Sequence, residues 1–155
     1  MNVLQVGEKA PAFSLLGSDG KNYSLKDFKG KKIVLYFYPK DDTSGCTKEA
    51  CSFRDNLSAI TKKGAVVIGI SPDGIKAHEK FISKYDLNFL LLSDEEKTIL
   101  QKYGVWKEKS MYGRKYMGVE RTTFIIDEKG KISHLFPKVK VDGHTEEVIA
   151  ALQVN

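Results

Sequence analysis

The chain has 155 residues, 41% hydrophobic and 29% charged, which supplies one core and leaves no need for a second domain. There is no apolar run near a membrane span, no secretory pattern in Met1-Asn-Val-Leu-Gln-Val-Gly-Glu8, and only two cysteines; these features argue against membrane and disulfide-framed secreted classes and for a cytoplasmic protein. The net charge of +5 arises from 25 basic residues, mostly Lys, interleaved with 20 acids, so it reads as a solvated surface and neither nucleic acid nor membrane is expected as a partner.

Ala12-Phe-Ser-Leu-Leu16 and Asn22-Tyr-Ser-Leu25, separated by Gly17-Ser-Asp-Gly20, predict an N-terminal hairpin, with a short turn or helical piece over 26–30. The run Ile33-Val-Leu-Tyr-Phe-Tyr38, closed by Pro39, predicts a strand buried on both faces. A helix follows from the N-cap types Thr43 and Ser44, with Cys46, Ala50, Phe53, Leu57 and Ile60 on one face. Gly64 caps its end, and Ala65–Ser71 is a second buried strand. Ser71-Pro72 predicts a helix start, with Ile75, His78, Phe81, Ile82 and Tyr85 as its inner stripe and His78 a packed histidine at the edge of the core rather than a ligand.

Residues 88–92 predict a third strand, and Ser93-Asp-Glu-Glu96 a capping box opening a short helix that ends near Gly104. Val105 to Glu120 has no periodicity and reads as a long connection; its basic stretch Lys107–Lys115 suits a loop near the site or a docking patch. Arg121–Asp127 and Lys131–Phe136 flank Glu128-Lys-Gly130 as a hairpin, and 145–152 closes the chain as a helix. The order predicts a single α/β domain over 1–155, a mixed sheet with helices on both faces.

Chemistry concentrates on Cys46. It falls in the first turn of a helix that leaves the carboxyl end of a buried strand, where free N–H groups and the helix dipole favour an anion. Cys51 lies five positions on, roughly 140° around an ideal helix and about 8.7 Å away. A disulfide spans at most about 7 Å between Cα atoms, so these two can bond only if the helix partly unwinds. Two small core hydrophobes remain the plain alternative.

The strand, the pattern Pro39-x-x-x-Thr43-x-x-Cys46, then Cys51 and a distant Arg121 opening Thr-Thr-Phe-Ile-Ile-Asp resemble the peroxiredoxins, over nearly the whole chain. Tyr-Pro-Lys-Asp-Asp-Thr-x-Gly-Cys-Thr-Lys-Glu-Ala-Cys is similar to the bacterioferritin comigratory protein or peroxiredoxin Q group. One departure is Ser44, where that group usually has Pro.

The resemblance implies a thioredoxin-like fold with an N-terminal β-hairpin extension and a thiol-dependent peroxidase acting on hydrogen peroxide and organic hydroperoxides. It makes Cys46 the nucleophile that becomes a sulfenic acid and Cys51 the resolving thiol that forms a Cys46–Cys51 disulfide. Thr43 and Arg121 would contact sulfur and peroxide, Pro39 would shape the pocket, and Glu49 would support the network. A thioredoxin or glutaredoxin-type reductant, no metal, flavin or haem cofactor, and a monomer rather than a stable oligomer are expected. The alternatives are a general thiol–disulfide oxidoreductase and a non-catalytic basic or chaperone-like binding module on the same fold.

Overall fold

A computed structural model of the chain describes residues 4–153, so Met1–Val3 of the N-terminal reading and the outermost ends of the expected 1–155 domain lie outside it. The elements in chain order are β1 (Ser14–Gly17), β2 (Asn22–Ser24), a 3₁₀ turn (Leu25–Phe28), β3 (Lys32–Phe37), α1 (Ser44–Asp55) and α2 (Leu57–Lys62). They continue with β4 (Ala65–Ser71), α3 (Ile75–Tyr85), β5 (Leu90–Ser93), α4 (Thr98–Lys102), β6 (Trp106–Met111) and β7 (Arg114–Val119). Last come β8 (Thr122–Ile126), β9 (Ile132–Phe136) and α5 (His144–Gln153). Seven strands form one sheet in the order β2-β1-β5-β4-β3-β8-β9, with β6 and β7 paired apart from it. The sheet is mixed: β3–β4 and β4–β5 are parallel, and β3–β8, β8–β9 and β1–β5 are antiparallel.

Strand β3 is the axis of the molecule because its side chains alternate between two apolar layers. Ile33, Leu35 and Phe37 join Leu100, Tyr103 and Phe124 on the face that carries α4. Val34, Tyr36 and Tyr38 join Cys46, Ala50, Phe53, Ile60, Phe81 and Val148 on the face that carries α1, α2, α3 and α5. Tyr36 stacks against Tyr38 at 5.3 Å and packs at a tilt on Phe53 at 4.8 Å between ring centroids, which fixes α1 over the strand that leads into it. Among the described residues, no helix is long and apolar enough to cross a membrane.

Four local expectations are corrected. The single helix expected from Thr43 to Ile60 is two, broken at Asn56, whose backbone (φ −108°, ψ 8°) departs from helical values while its side-chain amide donates to the Ser52 carbonyl at 2.8 Å. Ser71 does not cap α3: it ends β4, its hydroxyl donates to Asp73 Oδ2, and the N-cap is Gly74. Ser93 likewise ends β5; Asp94 reaches the Leu100 N–H at 2.8 Å, and α4 starts only at Thr98. The long connection over 105–120 is a hairpin, turned at Tyr112 (φ 52°) and Gly113 (φ 77°). Positive φ at both central residues matches a two-residue turn whose twist suits its strands. Residues on both its faces meet solvent, so the sequence shows no apolar alternation there.

Candidate active site

Thr43 occupies the N-cap position of α1, with extended backbone, and its carbonyl accepts the Thr47 N–H at 2.8 Å. Its hydroxyl does not cap the helix; it donates to the Lys40 carbonyl at 2.8 Å and draws the loop after β3 into a tight turn. Among the described residues no hydrogen bond joins Thr43 to Cys46. Ser44 is the exposed first residue of α1, and Pro39 sits half-buried where β3 ends.

From that start, the buried residues of α1 are Cys46, Glu49, Ala50 and Phe53, the spacing of one inward face. Cys46 is 1% exposed. Cys51 stands on another side of the same helix, half-buried, and both thiols are free. The two share an intact helix, so the five-residue spacing keeps them out of disulfide reach.

Arg121 is brought to Cys46 by topology. β8 runs antiparallel to β3 with Thr122 opposite Phe37, so the residue before β8 lies beside the end of β3 from which α1 departs. Its guanidinium forks across one helical turn. Nη2 donates to Cys46 Sγ at 3.3 Å and Nη1 donates to Glu49 Oε1 at 2.6 Å. Gly45 makes room for this: a Cβ there would stand 3.2 Å from Arg121 Nη2. Sequence reasoning missed Gly45, whose role depends on a partner distant in the chain.

The electrostatics are set by burial. Glu49 is pushed up to about 7 because its carboxylate is taken out of water, and the attraction of Arg121 only partly opposes this. Burial works against the Arg121 charge, but Glu49 and Cys46 outweigh it and hold the guanidinium above its ordinary value. Tyr36 is driven well above the usual phenol range, first by burial and then by the neighbouring Glu49 and Cys46. Tyr36 Oη, Thr47 Oγ1 and Glu49 Oε2 are buried without a hydrogen-bond partner. The site therefore combines a sulfur that accepts from a fixed cation with polar atoms that are not fully committed.

The expected residues separate into two groups. Cys46, Arg121 and Glu49 are in direct contact, while Pro39 and Thr43 belong to the loop that feeds α1 and Cys51 to its far side. An arrangement of this kind can attack an electrophilic atom with sulfur while a forked cation stabilises developing negative charge.

Residues 6–135 match the AhpC/TSA family. The chain is 58% identical over 149 residues to a putative peroxiredoxin, Bcp, of Coxiella burnetii, which covers 96% of this chain and 99% of that one. It is 47% identical over 150 residues to peroxiredoxin Bcp of Bacillus subtilis, covering 97% and 96% of the two chains. Among solved structures, a mutant of PrxQ from Xylella fastidiosa superposes with a TM-score of 0.93 at 34% identity, over 99% of this chain and 98% of that one. The bacterioferritin comigratory protein of Xanthomonas campestris, in a trapped intermediate/ligand complex structure bearing on its alkyl peroxide reduction activity, superposes with a TM-score of 0.90 at 37% identity, over 96% and 98%.

Proposed function

The chain belongs to the AhpC/TSA family and is a thiol-dependent peroxidase, and from that premise we propose that its turnover runs through Cys46, Arg121 and Cys51. The observation that carries the assignment is the Arg121 fork on Cys46 Sγ and Glu49. In the first step the Cys46 thiolate attacks one peroxide oxygen, an S–O bond forms and the O–O bond breaks. Sulfur is oxidised to a sulfenic acid, and the departing oxygen takes a proton and leaves as water or an alcohol. Arg121 donates to the sulfur before attack and offers donors to the peroxide as the O–O bond lengthens. Thr43 and Pro39 shape the entrance, and Glu49 keeps the guanidinium aimed.

In the second step α1 unwinds locally, the Cys51 thiolate attacks the Cys46 sulfenic sulfur, an S–S bond replaces the S–O bond, and water leaves. A dithiol protein of the thioredoxin or glutaredoxin type then reduces the disulfide by exchange. Hydrogen peroxide and organic hydroperoxides are the substrate class, and a cytoplasmic monomer needing no nucleic acid or membrane is the working form. The chemistry assigned to these side chains calls for no metal or organic cofactor.

Quenched-flow alkylation tests the assignment of Cys46. Wild type should lose its Cys46 thiol rapidly on mixing with hydrogen peroxide, Cys46→Ser should not turn over, and a general disulfide substrate should react far more slowly. A sluggish reaction with peroxide beside a fast one with the disulfide would reverse that assignment.

A further inference from the structure

α3 presents an apolar stripe to the core, Phe81, Ile82 and Tyr85 among it, with one polar interruption, His78, which is 0% exposed. Both ring nitrogens are engaged: Nε2 lies 3.0 Å from the Leu92 carbonyl and Nδ1 lies 2.6 Å from Asp41 Oδ2. A carbonyl can only accept, so Nε2 carries a proton and donates it to β5. That fixes the ring plane and aims Nδ1 at Asp41.

Asp41 lies in the loop between β3 and α1 and is itself buried. Its Oδ1 accepts the Tyr38 hydroxyl at 2.6 Å, and its backbone N–H donates to Asp73 Oδ2 at 2.8 Å, an oxygen that also accepts the Ser71 hydroxyl at 2.7 Å. The next residue, Asp42, is held at φ 60°, a left-handed conformation that costs a non-glycine residue about 1 kcal/mol or more. Its carboxylate takes Lys84 Nζ at 2.9 Å and the Tyr85 hydroxyl at 2.8 Å, both from α3. Thr43 then closes back on Lys40. The loop is thus gripped at two consecutive residues by α3, and it is the only covalent path from β3 to the first turn of α1.

A leucine of similar volume would fill the same space without removing polar groups from water, so packing alone does not account for His78. What the imidazole adds is direction, because it ties one loop carboxylate to the end of β5. We propose that His78 is a positioning residue for the reaction at Cys46, acting through Asp41 to hold the loop of Pro39, Asp42 and Thr43 in the conformation that presents the sulfur to peroxide. This rests on the peroxidase reading above. His78 touches neither sulfur nor Arg121 and takes no chemical step.

The test measures two rates on each folded variant: oxidation of Cys46 by hydrogen peroxide, which needs alignment with the O–O bond, and alkylation by iodoacetamide, which does not. His78→Leu and His78→Ala should lose about 10- to 100-fold in the peroxide rate, the scale of a misplacement near 1 Å. Their alkylation rates should stay within a few-fold of wild type. His78→Asn, whose amide can still reach Asp41, should recover part of the loss, and combining Asp41→Asn with His78→Ala should be no slower than the worse single variant. Folded variants with wild-type peroxide rates, or losses that multiply in the double variant, would overturn the proposal. Should His78→Ala and His78→Leu fail to fold, the single variants Asp41→Asn and His78→Asn decide by the same two rates. Failure of the wild-type thiol to react with peroxide would instead remove the reading on which the proposal stands.

Discussion

Arg121 bridges Cys46 and Glu49, with its two terminal nitrogens 3.3 Å from Sγ and 2.6 Å from Oε1, so one cation serves a buried sulfur and a buried carboxylate three residues apart. Replacing it tests the role of the fork. Arg121→Ala should lower the rate of Cys46 oxidation by about 10²-fold or more, the range seen when a preorganised donor is lost. Rapid mixing with hydrogen peroxide, followed by thiol trapping, measures it; an unchanged rate would free Arg121 from catalysis.

Gly45 separates activity from stability. A methyl group there would press on Arg121 Nη2, yet the position lies in the first turn of α1, where alanine is favoured over glycine by at most about 0.5–1 kcal/mol, the helix-interior value. Gly45→Ala should therefore raise the denaturation midpoint slightly while slowing peroxide attack several-fold. If both quantities rose together, the close approach would have no consequence for the reaction.

Glu49 makes stability depend on pH, and the sign follows from its shift. Its carboxyl titrates near 4.5 when unfolded and is pushed up to about 7 when folded, so the native state binds that proton more tightly. Its contribution to stability is fully present below about 4.5 and is lost as the pH rises through about 7. The difference in unfolding free energy between wild type and Glu49→Gln should accordingly move against wild type across this window, by a few kcal/mol at most. Urea titrations of both proteins at a series of pH values provide the check, and parallel curves would contradict it.

Much of this was visible in the sequence, and the failures have physical causes. The buried strand ending at Pro39, the inward face of α1 and the setting of Cys46 follow from residue type and period, because local pattern and burial agree there. The approach of Arg121 was not readable from spacing, since it depends on the antiparallel register of β8 on β3, a relation between segments about ninety residues apart in sequence. The β6–β7 hairpin was missed because neither of its faces is buried enough to impose alternation. Ser71 and Ser93 misled because a hydroxyl at a strand end reads as a cap in one dimension, while in space Asp73 and Asp94 take over the local hydrogen bonding. His78 was expected at the edge of the core, and its two partners, Asp41 and the Leu92 carbonyl, came from two other segments.

The second half of α1 must loosen for Cys51 to reach Cys46, and α5 opposes this through the Ser52–Thr145 hydroxyl pair at 2.6 Å. Thr145→Val should cost about 1 kcal/mol of stability. It should also speed disulfide formation, by up to about fivefold if the whole loss is felt in the unwinding step. Following the sulfenic acid with a trapping reagent measures that step; a slower closure would place the barrier elsewhere.

Peptide mapping after one equivalent of hydrogen peroxide tests the central claim most directly. The account predicts a protein lighter by two hydrogens, with Cys46 and Cys51 joined in one molecule, and in Cys51→Ser a sulfenic acid that stays on Cys46 when a thioredoxin-type reductant is supplied. Oxidation that leaves Cys46 as a free thiol, or continued cycling of Cys51→Ser with that reductant, would contradict it.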